Sequence, residues 1–146
     1  MTREVISHFI FFSERVLGLL ELKWAKVIYP KDKLLCETDV LARLETRDGK
    51  CVNILASVGG AQPDRQEMTV RGTAKSRRIS EFYKDSESNG LEFIPLREEP
   101  KDPRAVSLKA QLDDLEKVYN GHPNKLATVD EALRVQVLIE SILSSN

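Results

Sequence analysis

Apolar residues recur at helical spacing in three stretches of the chain. Near the N-terminus, a stripe spaced i, i+4, i+7 and i+11 predicts a helix that ends at Gly18. Its members are Val5, Phe9, Phe12 and Val16. Residues 107–121 repeat Leu and Tyr at the same spacing. Residues 129–145 form a third amphipathic segment that Thr128 opens as N-cap, with Glu131 completing a capping box. The pattern therefore predicts one helix at the start of the chain and two at its end.

The clearest strand signal is a hairpin over residues 38–60. A two-residue turn at Asp48–Gly49 would set charged side chains opposite apolar ones, whereas a three-residue loop over residues 47–49 matches apolar side chains across the strands. The apolar pairs in that register are Leu44 with Val52, Ala42 with Ile54, and Val40 with Ala56. We therefore predict the longer loop, with Gly49 in the left-handed conformation.

Further strands are predicted on both sides of this hairpin. Residues 20–29 form the first, with Leu22, Trp24 and Ile28 expected on one side of it. About six strands are completed by residues 66–72, 77–84 and 91–97. Strands in succession followed by helices indicate an α+β fold: an open, mainly antiparallel sheet with helices on one face, in a single domain over residues 1–146.

The second face of this sheet is less polar than a face turned to water usually is. In the favoured hairpin register it carries Leu41 and Leu55 among Asp39, Arg43 and Glu45. No further helix is expected to cover it. This mixed face predicts self-association into a homo-oligomer.

Composition narrows the classes of partner. The chain has 22 Lys and Arg against 23 Asp and Glu, and this balance argues against a binder of nucleic acid or of a membrane surface. No apolar run is long enough to span a bilayer. Cys36 and Cys51 lack metal-ligand spacing, and His8 and His122 lie far apart, so no metal site is predicted. These features favour a cytoplasmic protein with free thiols.

Glu4 and His8 are the candidate acid/base pair. On a helix they lie one turn apart, so the carboxylate is placed to orient the imidazole for proton transfer near neutral pH. The stripe beside them predicts that His8 lies at the edge of the buried face. The same spacing also fits a structural His beside a Glu. The residue pattern alone does not decide between a catalytic and a structural pair.

A basic segment, RGTAKSRR, contains Arg71, Lys75, Arg77 and Arg78. It lacks the four-residue spacing before Gly-Lys with which a loop wraps a phosphate, and cations beside a strand commonly keep a sheet edge solvated. A solvated edge is therefore the favoured interpretation. Binding of a phosphorylated or acidic ligand is the alternative.

Several segments together resemble the Gfo/Idh/MocA oxidoreductases, the family of glucose-fructose oxidoreductase and inositol dehydrogenase. The C-terminal half of that family carries a helix with the pattern Asp-x-Gly-x-His and a Leu-Gly end, which EVISH at residues 4–8 and RVLG at residues 15–18 resemble. The strand-DG-strand segment, the EMTVRGT stretch and the closing ATVDEALRVQVLIESILSS are also similar. The resemblance covers nearly the whole chain and indicates a C-terminal domain of this family.

The resemblance implies that an N-terminal Rossmann domain, absent from residues 1–146, binds NAD or NADP and supplies a catalytic Lys, while this chain binds no cofactor. It implies hydride transfer between the nicotinamide and a secondary alcohol carbon of a sugar or cyclitol. His8 would take or return the hydroxyl proton, and Glu4 would orient His8 or bind a neighbouring hydroxyl. Two residues depart from the pattern, because Glu4 stands for the family's Asp and Ile6 for its Gly, where Ile6 is expected to crowd the substrate.

Two functions therefore stay open. In the first, the chain is the substrate-binding and oligomerisation half of an NAD(P)-dependent oxidoreductase and is inactive alone. In the second, it is a stand-alone, non-enzymatic module that self-associates or binds a partner through its sheet face, and His8 is a relic.

Overall fold

The computed structural model describes residues 1–32 and 34–145. Its helices are α1 (Ser7–Leu17), which a π-helical turn at Thr2–Ile6 precedes, α2 (Pro103–Tyr119) and α3 (Val129–Leu143). Its strands are β1 (Leu20–Ile28), β2 (Asp39–Thr46), β3 (Cys51–Ser57), β4 (Glu67–Arg71), β5 (Ser76–Ser80), β6 (Lys84–Ser88) and β7 (Ile94–Pro95). No helix in this described part of the chain is long and apolar enough to cross a membrane.

The strands form two antiparallel sheets, one in the order β1-β2-β3 and one in the order β4-β5-β6-β7. The chain also divides into two compact units: the first holds residues 1–62 and the chain from residue 127 onward, and the second holds residues 63–126. Open antiparallel sheets with separate helices confirm the expected α+β class, with the strands shared between two sheets. That residues 1–146 are a single domain stays a prediction.

The core of the first unit lies between the three-stranded sheet and the helices α1 and α3. Burial alternates along β2, so Val40, Ala42 and Leu44 point to the helices. The largest fully buried apolar side chains are Ile10, Leu44, Ile139, Ile142 and Val40. α3 starts at Thr128, whose side chain and that of Glu131 form the predicted capping box. Burial of these aliphatic side chains is what holds both helices on the sheet.

The predicted hairpin register is confirmed. Leu44 pairs with Val52, and the other two apolar pairs follow in the same register. The three-residue loop closes with the Thr46 N–H donating to the Lys50 carbonyl at 2.9 Å, and Gly49 has φ of 84°. Cross-strand matching of apolar side chains therefore identified the register correctly where the Asp-Gly turn signal alone pointed to a shorter loop.

The predicted side-chain alternation of β1 is wrong beyond its third residue. The pairing shifts between Leu22 and Trp24, so a β-bulge at Lys23 reverses which side chains face the core. Leu20 and Leu22 before the bulge and Ala25 and Val27 after it lie on the helix side. Trp24 and Ile28 consequently lie on the outward face and are exposed.

In the second unit, one predicted strand is two strands. The expected strand over residues 77–84 ends at Ser80, where Glu81 and Phe82 take positive φ values of 50° and 63° and turn the chain back into β6. β6 pairs with β5 on one side and with the short β7 on the other. Pro95 lies on the edge strand β7, where its missing N–H costs no ladder hydrogen bond.

Candidate functional site

The buried side of α1 differs from the predicted stripe. Ile6, Ile10 and Ser13 face the core, whereas Phe12 and Val16 are exposed. The buried hydroxyl of Ser13 donates to the Phe9 carbonyl at 2.7 Å, so a polar residue is accommodated on the packed side. The helix is therefore rotated relative to the prediction.

This rotation places Glu4 and His8 away from the core. Glu4 lies in the π-helical turn and His8 in the first turn of α1, and both side chains are exposed. The expectation that His8 borders the buried face is wrong. Ile6, expected to crowd a substrate, is 6% exposed and belongs to the core, so it does not share the outward side with His8.

An aromatic and cationic surface continues beyond His8 along the same helix. The Arg15 guanidinium lies 4.8 Å from the centroid of the Phe11 ring, within the range of a cation–π contact. Phe12 is 40% exposed. The outward side of α1 therefore offers a carboxylate, an imidazole, aromatic rings and a guanidinium in succession.

Two ion pairs connect the C-terminal end of α1 to the start of α3. Arg15 makes a bidentate contact with Glu131, with nitrogen–oxygen distances of 3.0 and 2.9 Å. Glu14 lies 3.9 Å from Arg134 and also accepts the N–H of Leu20 at 3.1 Å. Hydrogen bonds from Arg15, aided by those from Thr128, hold the pKa of Glu131 at about 2.

Between these ion pairs lies a cleft of about 70 Å³. It is lined by Phe11, Glu14, Arg15, Leu19, Glu131 and Arg134. The cleft has room for only a few water molecules, and its charged groups are already paired with each other. The residues that line the cleft join the helix that carries His8 to α3.

Two further contacts hold the π-helical turn that leads into α1. The carboxylate of Glu37, which is 4% exposed, accepts the backbone N–H of Thr2. Burial by itself would raise the pKa of Glu37, but hydrogen bonding by Thr2 outweighs it and lowers the pKa to about 2. Arg3 makes a bidentate contact with Glu140 at 2.8 Å for both nitrogens.

The sequence did not predict any of these ion pairs and hydrogen bonds. Arg15 and Glu131 are 116 residues apart, Arg3 and Glu140 are 137 apart, and Thr2 and Glu37 are 35 apart. A single sequence offers no local signal for partners at such separations. The capping box at Thr128 located Glu131 but did not reveal its second partner.

The basic segment of the second unit is engaged with carboxylates. Lys75 pairs with Glu87 at 2.6 Å, and Arg77 contacts the same carboxylate at 3.1 Å. Arg78 lies 3.4 Å from Glu67 and stacks on the ring of Phe93 at 3.7 Å. These pairs favour the interpretation as a solvated sheet edge over an anion site.

The described residues contain no dinucleotide-binding fingerprint. A dinucleotide fingerprint needs a glycine-rich turn between a strand and the N-terminus of a helix. Gly59 and Gly60 instead follow β3 and lead, through a loop, to β4. Within residues 1–32 and 34–145 there is also no group of three or more His, Cys, Asp or Glu side chains placed to hold a metal ion.

By sequence, the chain matches no family model and none of the curated proteins. Its fold nevertheless matches solved structures of dehydrogenases. KijD10, a 3-ketoreductase from Actinomadura kijaniata in complex with TDP-benzene and NADP, has a TM-score of 0.71 at 17% identity, over 99% of this chain and 46% of its own. The dehydrogenase MviM from Clostridium difficile has a TM-score of 0.75 at 11% identity, over 94% of this chain and 45% of its own.

A third structure is the WlbA dehydrogenase from Bordetella pertussis in complex with NADH and UDP-GlcNAcA. Its TM-score is 0.67 at 16% identity, over 94% of this chain and 43% of its own. At such identities the likeness concerns the fold. These neighbours are Gfo/Idh/MocA-type dehydrogenases, so the expected resemblance is confirmed. The chain therefore has the fold of the Gfo/Idh/MocA-type dehydrogenases, over a little less than half of their length.

Proposed function

We propose that this chain is the substrate-binding half of an NAD(P)-dependent oxidoreductase that acts on a hydroxyl group of a sugar or cyclitol. The observation that carries the proposal is the exposed pair Glu4 and His8 on the outward side of α1. A structural His is usually packed, whereas a group that reacts with a ligand must be accessible. Neighbours solved with TDP-benzene and with UDP-GlcNAcA support a sugar nucleotide as one form of the ligand.

In this proposal His8 accepts the hydroxyl proton when the alcohol is oxidised and returns it in the reverse direction. Glu4 binds a neighbouring hydroxyl or orients the imidazole. The contact of Thr2 with Glu37 before α1, and that of Arg15 with Glu131 at its end, hold the helix that carries His8 in place. His8 is thus the reacting group, and the paired residues at the two ends are positioning residues.

We assign the nicotinamide cofactor to a domain outside residues 1–146, since the described residues contain no dinucleotide-binding fingerprint. NADP and NADH are present in the structures of KijD10 and WlbA, of which the chain spans less than half. That domain would supply the acceptor of the hydride. This chain alone is accordingly expected to bind the sugar weakly and to catalyse nothing.

The test is an NMR titration of the two histidines. His8 and His122 are the only two in the sequence, so their Cε1–H signals are assigned with one variant each. Titration with myo-inositol, D-glucose and UDP-GlcNAcA should shift the His8 signal in a saturable manner with at least one of them. The signal of His122, in a loop of the other unit, should not move and serves as the internal control.

Calorimetry with the ligand that responds completes the test. His8→Ala should reduce its affinity by about tenfold, the loss of one hydrogen bond to a charged or polar group, while His122→Ala should leave it unchanged. If none of the three ligands shifts the His8 signal, or if both variants bind like the parent, the proposed substrate site is wrong.

A second candidate function, self-association through the sheet face, is favoured by the outward face of the three-stranded sheet. The bulge in β1 adds two large apolar side chains to those already predicted there. The exposed members are Trp24, Ile28, Leu41 and Leu55. A face of this composition, mixed with charges of both signs, is typical of a surface that pairs with a second copy.

Trp24 is the only tryptophan of the chain, so its fluorescence reports on that face directly. Association should shift its emission to shorter wavelength as the protein concentration rises. Leu41→Asp should abolish the shift. Leu35→Asp, a change of the same chemistry at an exposed loop residue, should preserve it. Equal behaviour of the two variants would argue against the sheet face as an interface.

A further inference from the structure

Helix α2 turns a row of large apolar side chains toward solvent. The row, called the α2 stripe below, consists of Leu108, Leu112, Leu115 and Tyr119. Its spacing of i, i+4, i+7 and i+11 aligns the four along one side of the helix. They are between 54% and 90% exposed, and no residue of α2 is buried.

The helix is well formed and attached by a different side. The Asp102 side chain caps the first turn by accepting two backbone N–H groups, with Pro103 following at the first helical position. Pro103, Ser107 and Asp114 are the half-buried positions within the helix. Asp114 accepts the N–H of Lys125 at 3.2 Å and pairs with Lys117 at 2.6 Å. The polar side of α2 is therefore fixed, while its apolar side is left exposed.

We infer that the α2 stripe is an interface between two copies of this chain, in which the two α2 helices pack antiparallel about a twofold axis. The spacings within the stripe are four, three and four residues, and this sequence of steps is unchanged when read backwards. An antiparallel copy therefore places Leu108 against Tyr119 of the other helix and Leu112 against Leu115. Every member of the stripe gains an apolar partner, as in an antiparallel coiled coil.

The charges beside the stripe fit the same arrangement. Lys109 and Glu116 lie on one flank of the stripe, about a quarter turn from its centre. Lys109 also pairs with Asp113 of its own helix at 2.7 Å, so a contact with Glu116 of the other copy would be its second. In an antiparallel twofold pair the same flanks of both helices meet. Along the helix axis, Lys109 then lies within about two residues, or about 3 Å, of Glu116 of the other copy. The contact occurs twice by symmetry. A parallel pair would instead set each flank against the opposite one and lose this match.

The composition of the polar side favours a protein partner over a membrane surface. It carries Lys109 and Lys117 together with Asp113, Asp114 and Glu116. A membrane-bound amphipathic helix is typically basic on its polar face. The inference goes beyond the proposed function, because the α2 stripe lies in the second unit and the outward sheet face in the first.

The test is sedimentation velocity on the full chain carrying Leu55→Asp, which removes any association through the sheet face. This protein should form a reversible dimer. Adding Leu112→Asp at the centre of the stripe should weaken the dimer by at least about tenfold. Adding Val106→Asp instead should leave it unchanged, since Val106 is equally exposed on α2 but lies off the stripe. Far-UV circular dichroism should report the same helix content in all three proteins.

Charge reversal tests the orientation. Lys109→Glu and Glu116→Lys should each weaken the dimer by placing like charges together twice, and the two changes combined should restore it. A Leu55→Asp protein that stays monomeric at all concentrations overturns the inference and leaves the stripe to a different partner. Equal effects of Leu112→Asp and Val106→Asp, or failure of the combined reversal to restore association, would overturn it as well.

Discussion

Two substitutions two residues apart on α1 test whether His8 is a surface group or a structural one. Ile10→Ala removes three carbon atoms from a side chain that is 1% exposed. At about 0.8 kcal/mol per carbon, transfer to water accounts for about 2.4 kcal/mol, and the cavity left behind adds about 1 kcal/mol. We therefore expect the free energy of unfolding to fall by about 3–4 kcal/mol.

His8→Ala should behave differently, because the exposed imidazole contributes little buried area. Its expected effect on the free energy of unfolding is within about 0.5 kcal/mol. Urea unfolding followed by far-UV circular dichroism measures both variants, with similar m values indicating comparable denatured states. A loss of about 2 kcal/mol or more in His8→Ala, or a neutral Ile10→Ala, would mean that the buried side of α1 is wrongly assigned and that His8 is structural.

Three further predictions concern backbone conformation and pH. Gly49→Ala should lower the free energy of unfolding by about 1 kcal/mol, because φ is 84° there and no atom lies near the new Cβ to add a steric cost; urea unfolding measures it. Glu81→Gly should raise the free energy of unfolding by about 0.5 kcal/mol, because it relieves a positive φ. The lost ion pair with Lys84 reduces this gain. The control Glu92→Gly, at a residue without positive φ, should lower the free energy of unfolding. The pKa of Glu131 is about 2 in the folded chain against its usual 4.5. The ionised carboxylate therefore contributes fully to stability above pH 4.5, and this contribution is lost as the pH falls toward 2. Glu131→Gln should remove part of this dependence of the melting temperature on acid pH, which thermal melts measure.

The hairpin shows what a single sequence can establish. Its register follows from a local rule, the matching of apolar side chains across adjacent strands, and the burial of Val40, Ala42 and Leu44 confirms it. The bulge at Lys23 has no such signal, because nothing in the local residue types marks the extra residue. As a result, Trp24 was expected on the wrong face of the sheet.

The second unit shows why a strand was missed. β6 has the sequence KDSES, with neither β-branched residues nor apolar alternation, so it resembles a loop. The turn before it is built from Glu81 and Phe82 rather than the Asn and Gly that usually take positive φ. A prediction based on propensity therefore continued β5 through the turn.

The candidate site was only partly predictable for a related reason. Apolar residues lie on nearly every side of α1, so two different stripes satisfy the helical period: the predicted one through Phe12 and the observed one through Ile6 and Ile10. The helical period does not distinguish between the two stripes. The choice is made by packing against β2 and α3, which is a tertiary effect.

That ambiguity itself bears on function. A helix at the surface of a single domain normally carries apolar side chains on its packed side only, whereas α1 also exposes Phe12 and Val16, which lie one turn apart along one edge of its outward face. An acid/base group works best where water is excluded, and exposed aromatic side chains next to His8 cannot exclude water unless a second surface covers them. We therefore expect Phe12→Ser to leave the free energy of unfolding of this chain within about 0.5 kcal/mol, since the ring is only partly packed here. The same change should weaken binding of a separately supplied nucleotide-binding domain, measured by calorimetry against the His122→Ala variant as control. Equal affinity of the two variants for that domain would mean that such a domain does not cover the outward side of α1.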